Sequence, residues 1–347
     1  MFEAVIALCV AAEGGPCRDQ LLPGYEASEQ VVCEAMLAEN PPEIQPVEGL
    51  TFAAAPVCKP LGEVLEVSEV ALGVFAHLGL VEEPNGDNRG DVSNLGFVIG
   101  ETGVAVIDTG TARWMGEALW RAIRAETDLP VTHVILTHMH PDHVLGTEPF
   151  AEIGAQIVGH AKLPRALADR QANYIESLER LIGPPAFLGT RAVLPEVLVE
   201  DVAQIDLGAR ILNLRAWPAA HTGNDLTVRD SVTGTMFAGD LVFDRHTPAL
   251  DGDLMGWQQV LADMTALGVT QVIAGHGGPL LAWPEGGAAQ LRYLEVLEAD
   301  TRAAIDAGQR IGDAVEVIAE SEADKWELFE SYNPRNATVA FTELEWE

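Results

Sequence analysis

The chain has no cysteine after Cys58, carries 20 lysines and arginines against 53 aspartates and glutamates, and nowhere runs 18 apolar residues in succession. The missing apolar run excludes a membrane-spanning helix. The shortage of cations, a formal net charge of −33, excludes a nucleic-acid partner, because such a surface repels a phosphate backbone; it reads instead as a strongly hydrated surface that keeps the protein soluble. There is no Gly-X-Ser-X-Gly elbow and no thiol beyond residue 58, so no serine or cysteine nucleophile is marked. Cys-X-X-Cys is also missing, which removes a zinc knuckle or a thioredoxin-type motif. What is present is ordinary for a globular chain of 347 residues, with 48% hydrophobic residues, and that length corresponds to about two domains.

Cys9, Cys17, Cys33 and Cys58 crowd into one short segment. An even set in a small unit reads as two disulfides in one of three connectivities, or as buried reduced thiols. Pairing would imply an oxidising compartment such as a periplasm. The apolar run Ala4 to Ala12 has no preceding lysine or arginine, so it reads as a buried strand rather than a secretory signal; either a signal lies upstream or the protein stays in the cytoplasm.

Residues 1–62 read as a small unit: a strand from Val5 to Ala11, a turn at 14–16, a helix from about Ser28 to Glu39 halted by Pro41, Pro42 and Pro46, and an apolar stretch from Leu50 to Val57. Such a unit needs cross-links or docking to be stable. From 63 to 300, strand-like segments (Val64 to Ala76, Leu95 to Ile99, Val104 to Ile107, Val131 to Leu136) alternate with helices such as Ala112 to Glu126, which gives an α/β class. Residues 301–347 read as a helical C-terminal extension, continuing a helical stretch from about 284.

Directly after Val131 to Leu136 stands Thr137-His138-Met139-His140-Pro141-Asp142-His143. At a strand end, residues two apart point the same way, so His138 and His140 can reach one point. Asp142 and His143 then aim at a second point as the chain turns. His221, Asp240 and His276 follow, each at the end of an apolar strand beside glycine or a small residue, and Asp108 has the same placement. Imidazole nitrogen and carboxylate oxygen suit Zn²⁺, with iron or manganese not excluded by ligand type.

This motif order resembles the metallo-β-lactamase superfamily over roughly residues 65–300. The resemblance implies an αββα sandwich, with the small cysteine-containing unit at its N-terminus. It also implies one metal on His138, His140 and His221, and a second on Asp142, His143, Asp240 and His276, Asp240 bridging and Asp108 bracing the loop. The strings around Thr137 to Gly146, Gly239 to Phe243, Thr247 to Gly252 and Gly256-Trp257 are similar to the quinoprotein relay system zinc metallohydrolases, related to sulfur-oxidation clusters. That likeness implies a periplasmic location and a quinoprotein or sulfur-carrier partner.

The expected function is a hydrolase with two zinc ions, in which a metal-held hydroxide attacks a small ester, thioester or amide, with Asp142 or Asp240 orienting the water. The alternatives are an iron-dependent persulfide-type oxygenase and a metal-bearing binding or maturation protein. His77 and His246, with Arg245 as the one cation near the motifs in sequence, are candidate substrate contacts; His133 and His160 read as structural. Loops 84–94, 164–195 and 244–257 are expected to shape the cleft.

Overall fold

In the computed structural model, residues 1–12, 14–44, 49–278 and 280–346 are described; Pro46 lies outside them. Two sheets form the body. One has seven strands, running in space from Val197–Val199 through Gln156–His160, Val131–Leu136, Val104–Ile107, Leu95–Ile99 and Val74–His77 to Ser68–Ala71. The other has six, from Val202–Asp206 through Ile211–Ala216, Leu226–Asp230, Met236–Phe243 and Gln271–His276 to Leu281–Ala282.

Strand alternation builds the layers. In Val104–Ile107, Val104 and Val106 face a core shared with helix Arg113–Glu126, while Ala105 and Ile107 face a core between the sheets. The second sheet divides likewise, with Ile273 turned to the inter-sheet core and Val272 and Ala274 toward helices Leu254–Ala266, Ala288–Asp306 and Phe329–Leu344. Strands buried on both faces read as continuous apolar runs, which is why these segments stand out in the sequence. The result is the αββα sandwich expected from the sequence.

The N-terminal segment makes a separate four-stranded sheet around Phe2–Val10, with helix Gln30–Glu39 against it. Its cysteines pair as Cys9–Cys17 and Cys33–Cys58. Cys33 and Cys58 sit inside its small core with Ala4, Ile6, Leu22 and Ala27. Docking completes its burial: buried Glu3 accepts from Arg121 at 2.7 and 2.9 Å, and Glu117 takes Arg18 at 2.5 Å.

Among the described residues no helix is long and apolar enough to cross a membrane.

Candidate metal centre

Four chain segments deliver seven donors to one end of the sandwich. Strand Val131–Leu136 ends in His138 and His140, and a single helical turn, Pro141–Val144, carries Asp142 and His143. His221 comes from the connection between Ile211–Ala216 and Leu226–Asp230. The neighbouring parallel strands Met236–Phe243 and Gln271–His276 deliver Asp240 and His276.

Two close approaches of backbone let these segments meet. A Cβ on Gly116 would fall 1.9 Å from the Gly146 carbonyl oxygen, so only glycine lets helix Arg113–Glu126 lie against the histidine loop. A Cβ on Gly275 would fall 1.9 Å from Asp240 Oδ1. That glycine serves close packing, and the left-handed turn after His276 is made by Gly277, at φ +92°.

The donor atoms of His138, His140, His221 and Asp240 lie within 4.8 Å of one another, as do those of Asp142, His143 and His276. Asp240 stands between the groups: Oδ2 is 3.4 Å from His221 Nε2 and 3.3 Å from His276 Nε2, and Oδ1 is 3.1 Å from His143 Nε2. His138 Nε2, His143 Nε2 and Asp240 Oδ1 are buried without a hydrogen bond among the described residues. Buried polar atoms are rarely left so, and these three, spread over the two groups, fit cations held there.

Every imidazole in the set is held by its other nitrogen. His138 Nδ1 lies 3.0 Å from Thr137 Oγ1, His140 Nε2 3.1 Å from Asp251, and His143 Nδ1 2.8 Å from Asp108. His221 Nδ1 and His276 Nδ1 face the carbonyls of Ala249 at 2.5 Å and Val92 at 2.8 Å. Such partners fix tautomer and ring orientation for metal binding. Asp108, at φ +57°, also accepts from the Thr137 amide and hydroxyl, each at 2.8 Å, so one carboxylate braces both the loop and His143.

Burial holds His221 down to about 3 and His138 well below the usual imidazole range, so both present neutral nitrogen lone pairs. In the other group burial is outweighed: Asp240 and Asp142 raise His276 to about 9 and raise His143. The same carboxylates, held low by those histidines against burial, are the negative charge a divalent cation requires. The donor set therefore fits divalent metal.

A cavity of about 600 Å³ opens above the donors. His246 lines it, its ring 4.9 Å from His276 and its Nδ1 tied to the Thr247 carbonyl at 2.6 Å. His77 and Arg245 stand elsewhere. His77 lies in a separate hollow with Trp114, between the Glu66 carbonyl and Asp91 at 2.7 Å each. Arg245 points to solvent and pairs with Glu327 at 2.6 Å. His133 bonds Thr132 at 2.8 Å and His160 accepts from the Lys162 amide at 2.9 Å, both away from the donors.

Parts of all three expected cleft segments line the cavity: Pro84 and Val92, Arg170 to Leu181, and His246 to Asp251. The middle one is largely helix, Leu163–Ile182, where a loop was expected. Sequence reasoning missed Asp251, which holds both His140 and Arg170, and the wall formed by Tyr332, Arg335, Asn336 and Val339 of helix Phe329–Leu344. The signal for Asp251 lay in the string around it, but nothing there assigned its partner.

The family description "Metallo-beta-lactamase superfamily" matches residues 88–276. A metallo-beta-lactamase from Pontibacter korlensis is similar in structure, with a TM-score of 0.55 at 21% identity over 67% of this chain and 99% of its own. TMB-1 gives 0.53 at 19% identity over 67% and 97%. A double mutant of the sec-alkyl sulfatase PisA1 gives 0.63 at 14% identity over 81% of this chain and 50% of that one. No curated protein sequence matches.

Proposed function

Because the chain belongs to the metallo-β-lactamase superfamily, a family of mostly hydrolytic enzymes acting on small molecules, we propose that it is a hydrolase using two zinc ions to open a small ester, thioester or amide. One observation carries this reading: all five converging imidazoles are oriented by a partner at the far nitrogen, while the near atoms meet two carboxylates between them. A complete second group, Asp142, His143 and His276, favours two ions over one.

His138, His140, His221 and Asp240 would hold one ion, and Asp142, His143 and His276, with Asp240 shared, the other. Bound there, divalent metal brings the pKa of water near neutrality and polarises the substrate's electrophile. The protein supplies the rest. Thr137, Asp108, Asp251 and two backbone carbonyls keep the imidazoles aimed. Asp142 and Asp240 would orient the attacking water. The two disulfides support an oxidising compartment, and a periplasmic location among the quinoprotein relay metallohydrolases, with a quinoprotein or sulfur-carrier partner, belongs to the same proposal.

Metal analysis with turnover tests it. The expected result is two zinc per chain, hydrolysis of para-nitrophenyl butyrate that vanishes in His138→Ala, and about one zinc with most activity lost in Asp142→Ala. One iron per chain with oxygen uptake, or full metal and rate in Asp142→Ala, would overturn it.

A further inference from the structure

The C-terminal helix Phe329–Leu344 lies outside residues 88–276, yet it is built into the cleft. Its Asn336 accepts from the Leu250 amide at 2.9 Å and donates to the Pro248 carbonyl at 2.6 Å. Just ahead of the helix, Glu327 accepts from the Thr247 amide at 2.9 Å and donates its own amide to the Arg245 carbonyl at 2.8 Å. These bonds grip 245–250, the segment whose Ala249 carbonyl orients His221 and which leads into Asp251, the partner of His140. The helix is thus positioned by the same stretch of chain that positions the metal-facing imidazoles.

Tyr332 and Arg335 stand one turn apart on this helix and both line the cavity. The Tyr332 ring meets His246 edge-on at 4.5 Å, and His246 in turn packs on His276. The phenol oxygen has no hydrogen-bond partner among the described residues. Burial, with the carboxylates of Glu83 and Asp142, raises its pKa, so it remains a donor. Arg335, its guanidinium 5.6 Å from the Tyr332 ring, has no ion pair among the described residues. Of the three arginines that line the cavity, Arg170 is paired with Asp251, whereas Arg180, on helix Leu163–Ile182, shares with Arg335 the lack of an ion pair among the described residues. Apolar Leu178, Leu181 and Val339 share the same cavity, and Glu82 and Glu83 also line it.

Resting on the hydrolase reading, we propose that this helix supplies two substrate contacts, and that they select an ester or thioester whose acyl group ends in a carboxylate beyond a short apolar spacer. Arg335 receives the terminal carboxylate, since guanidinium matches its geometry and is always charged. Tyr332 donates to the acyl oxygen where negative charge develops. Hydrolysis adds water across the acyl bond and yields a dicarboxylic acid and an alcohol or thiol; Tyr332 keeps its proton throughout. The apolar side chains pack on the spacer, and Glu82 and Glu83 repel the carboxylate from their part of the cavity.

The test compares para-nitrophenyl hydrogen glutarate with para-nitrophenyl butyrate on the two-zinc protein. Wild type is expected to favour the glutarate ester at least tenfold in kcat/KM. Arg335→Gln should collapse that ratio, mainly through KM, and Arg335→Lys should restore part of it. Tyr332→Phe should lower kcat at least tenfold on both esters with little change in KM. Independently of turnover, calorimetric titration with glutarate should show at least fivefold weaker binding in Arg335→Gln at unchanged zinc content and melting temperature. Equal losses on both esters in Arg335→Gln, unchanged glutarate binding, or an unchanged kcat in Tyr332→Phe would overturn the proposal. Two-zinc wild type that turns over neither ester would instead count against the hydrolase reading, and the glutarate titration would then decide the anion contact alone.

Discussion

Asp225 shows how far burial can move a single side chain beside the metal centre. Its carboxyl accepts from the Thr222 amide at 2.9 Å and the Thr222 hydroxyl at 2.6 Å, which fixes the turn after His221. Burial outweighs both bonds and raises it to about 8. An aspartate in the unfolded chain ionises near about 4, so the contribution of this group to stability is fully present below that pH, is lost as pH rises toward 8, and then levels off. The slope is at most about 1.4 kcal/mol per pH unit. Asp225→Asn cannot ionise and keeps a similar shape. Urea midpoints of metal-free protein, measured from mildly acidic to mildly basic pH, should therefore show the variant gaining on wild type as pH rises. A difference that stays flat with pH would mean the carboxyl is already ionised in the fold.

Helix Arg113–Glu126 joins the N-terminal sheet to the body, and one buried arginine carries much of that junction. Arg113, fully buried, meets Glu117 at 2.9 Å, Glu148 at 2.9 Å, Glu152 at 2.8 Å and the Leu21 carbonyl at 3.1 Å. Arg113→Ala would strand two buried carboxylates with only Arg18 and Arg191 left on them, a loss of about 3 kcal/mol. A shift in the urea midpoint worth under about 1 kcal/mol would show that those two arginines compensate. Elements of this kind were unevenly legible. Val131–Leu136 was read at its observed bounds, because its buried apolar half, Val134 to Leu136, runs straight into the histidine motif and Pro130 closes the other end. Val64 to Ala76 was read as one strand but is a hairpin, Ser68–Ala71 and Val74–His77, since Gly73 at φ +64° hides a turn inside an apolar run. The spacing of the seven donors was legible because strand ends impose it. Asp251 and Tyr332 were not, because their partners lie 111 residues away at His140 and at His246 across a helix docked by tertiary contact.

At the scale of the whole molecule the dominant quantity is the charge of −33. Twenty cations can neutralise at most twenty of 53 carboxylates, so the remainder repel one another across the surface whatever the local pairing. Two effects of salt then compete. Screening weakens surface ion pairs such as Lys59–Asp19 and Arg165–Asp169, each worth at most about 1 kcal/mol; it also relieves the repulsion among unpaired carboxylates, which acts over the full Debye length of about 10 Å at 0.1 M. Buried contacts such as Arg113–Glu117 and Arg121–Glu3 are little affected either way. With far more unpaired acids than exposed pairs, relief should win. The melting temperature is expected to rise steadily with sodium chloride from about 0.05 to 1 M, and to rise similarly with potassium chloride, because the effect is one of ionic strength. A fall over that range would mean that the exposed pairs, rather than the surplus of carboxylates, govern the surface electrostatics of this fold.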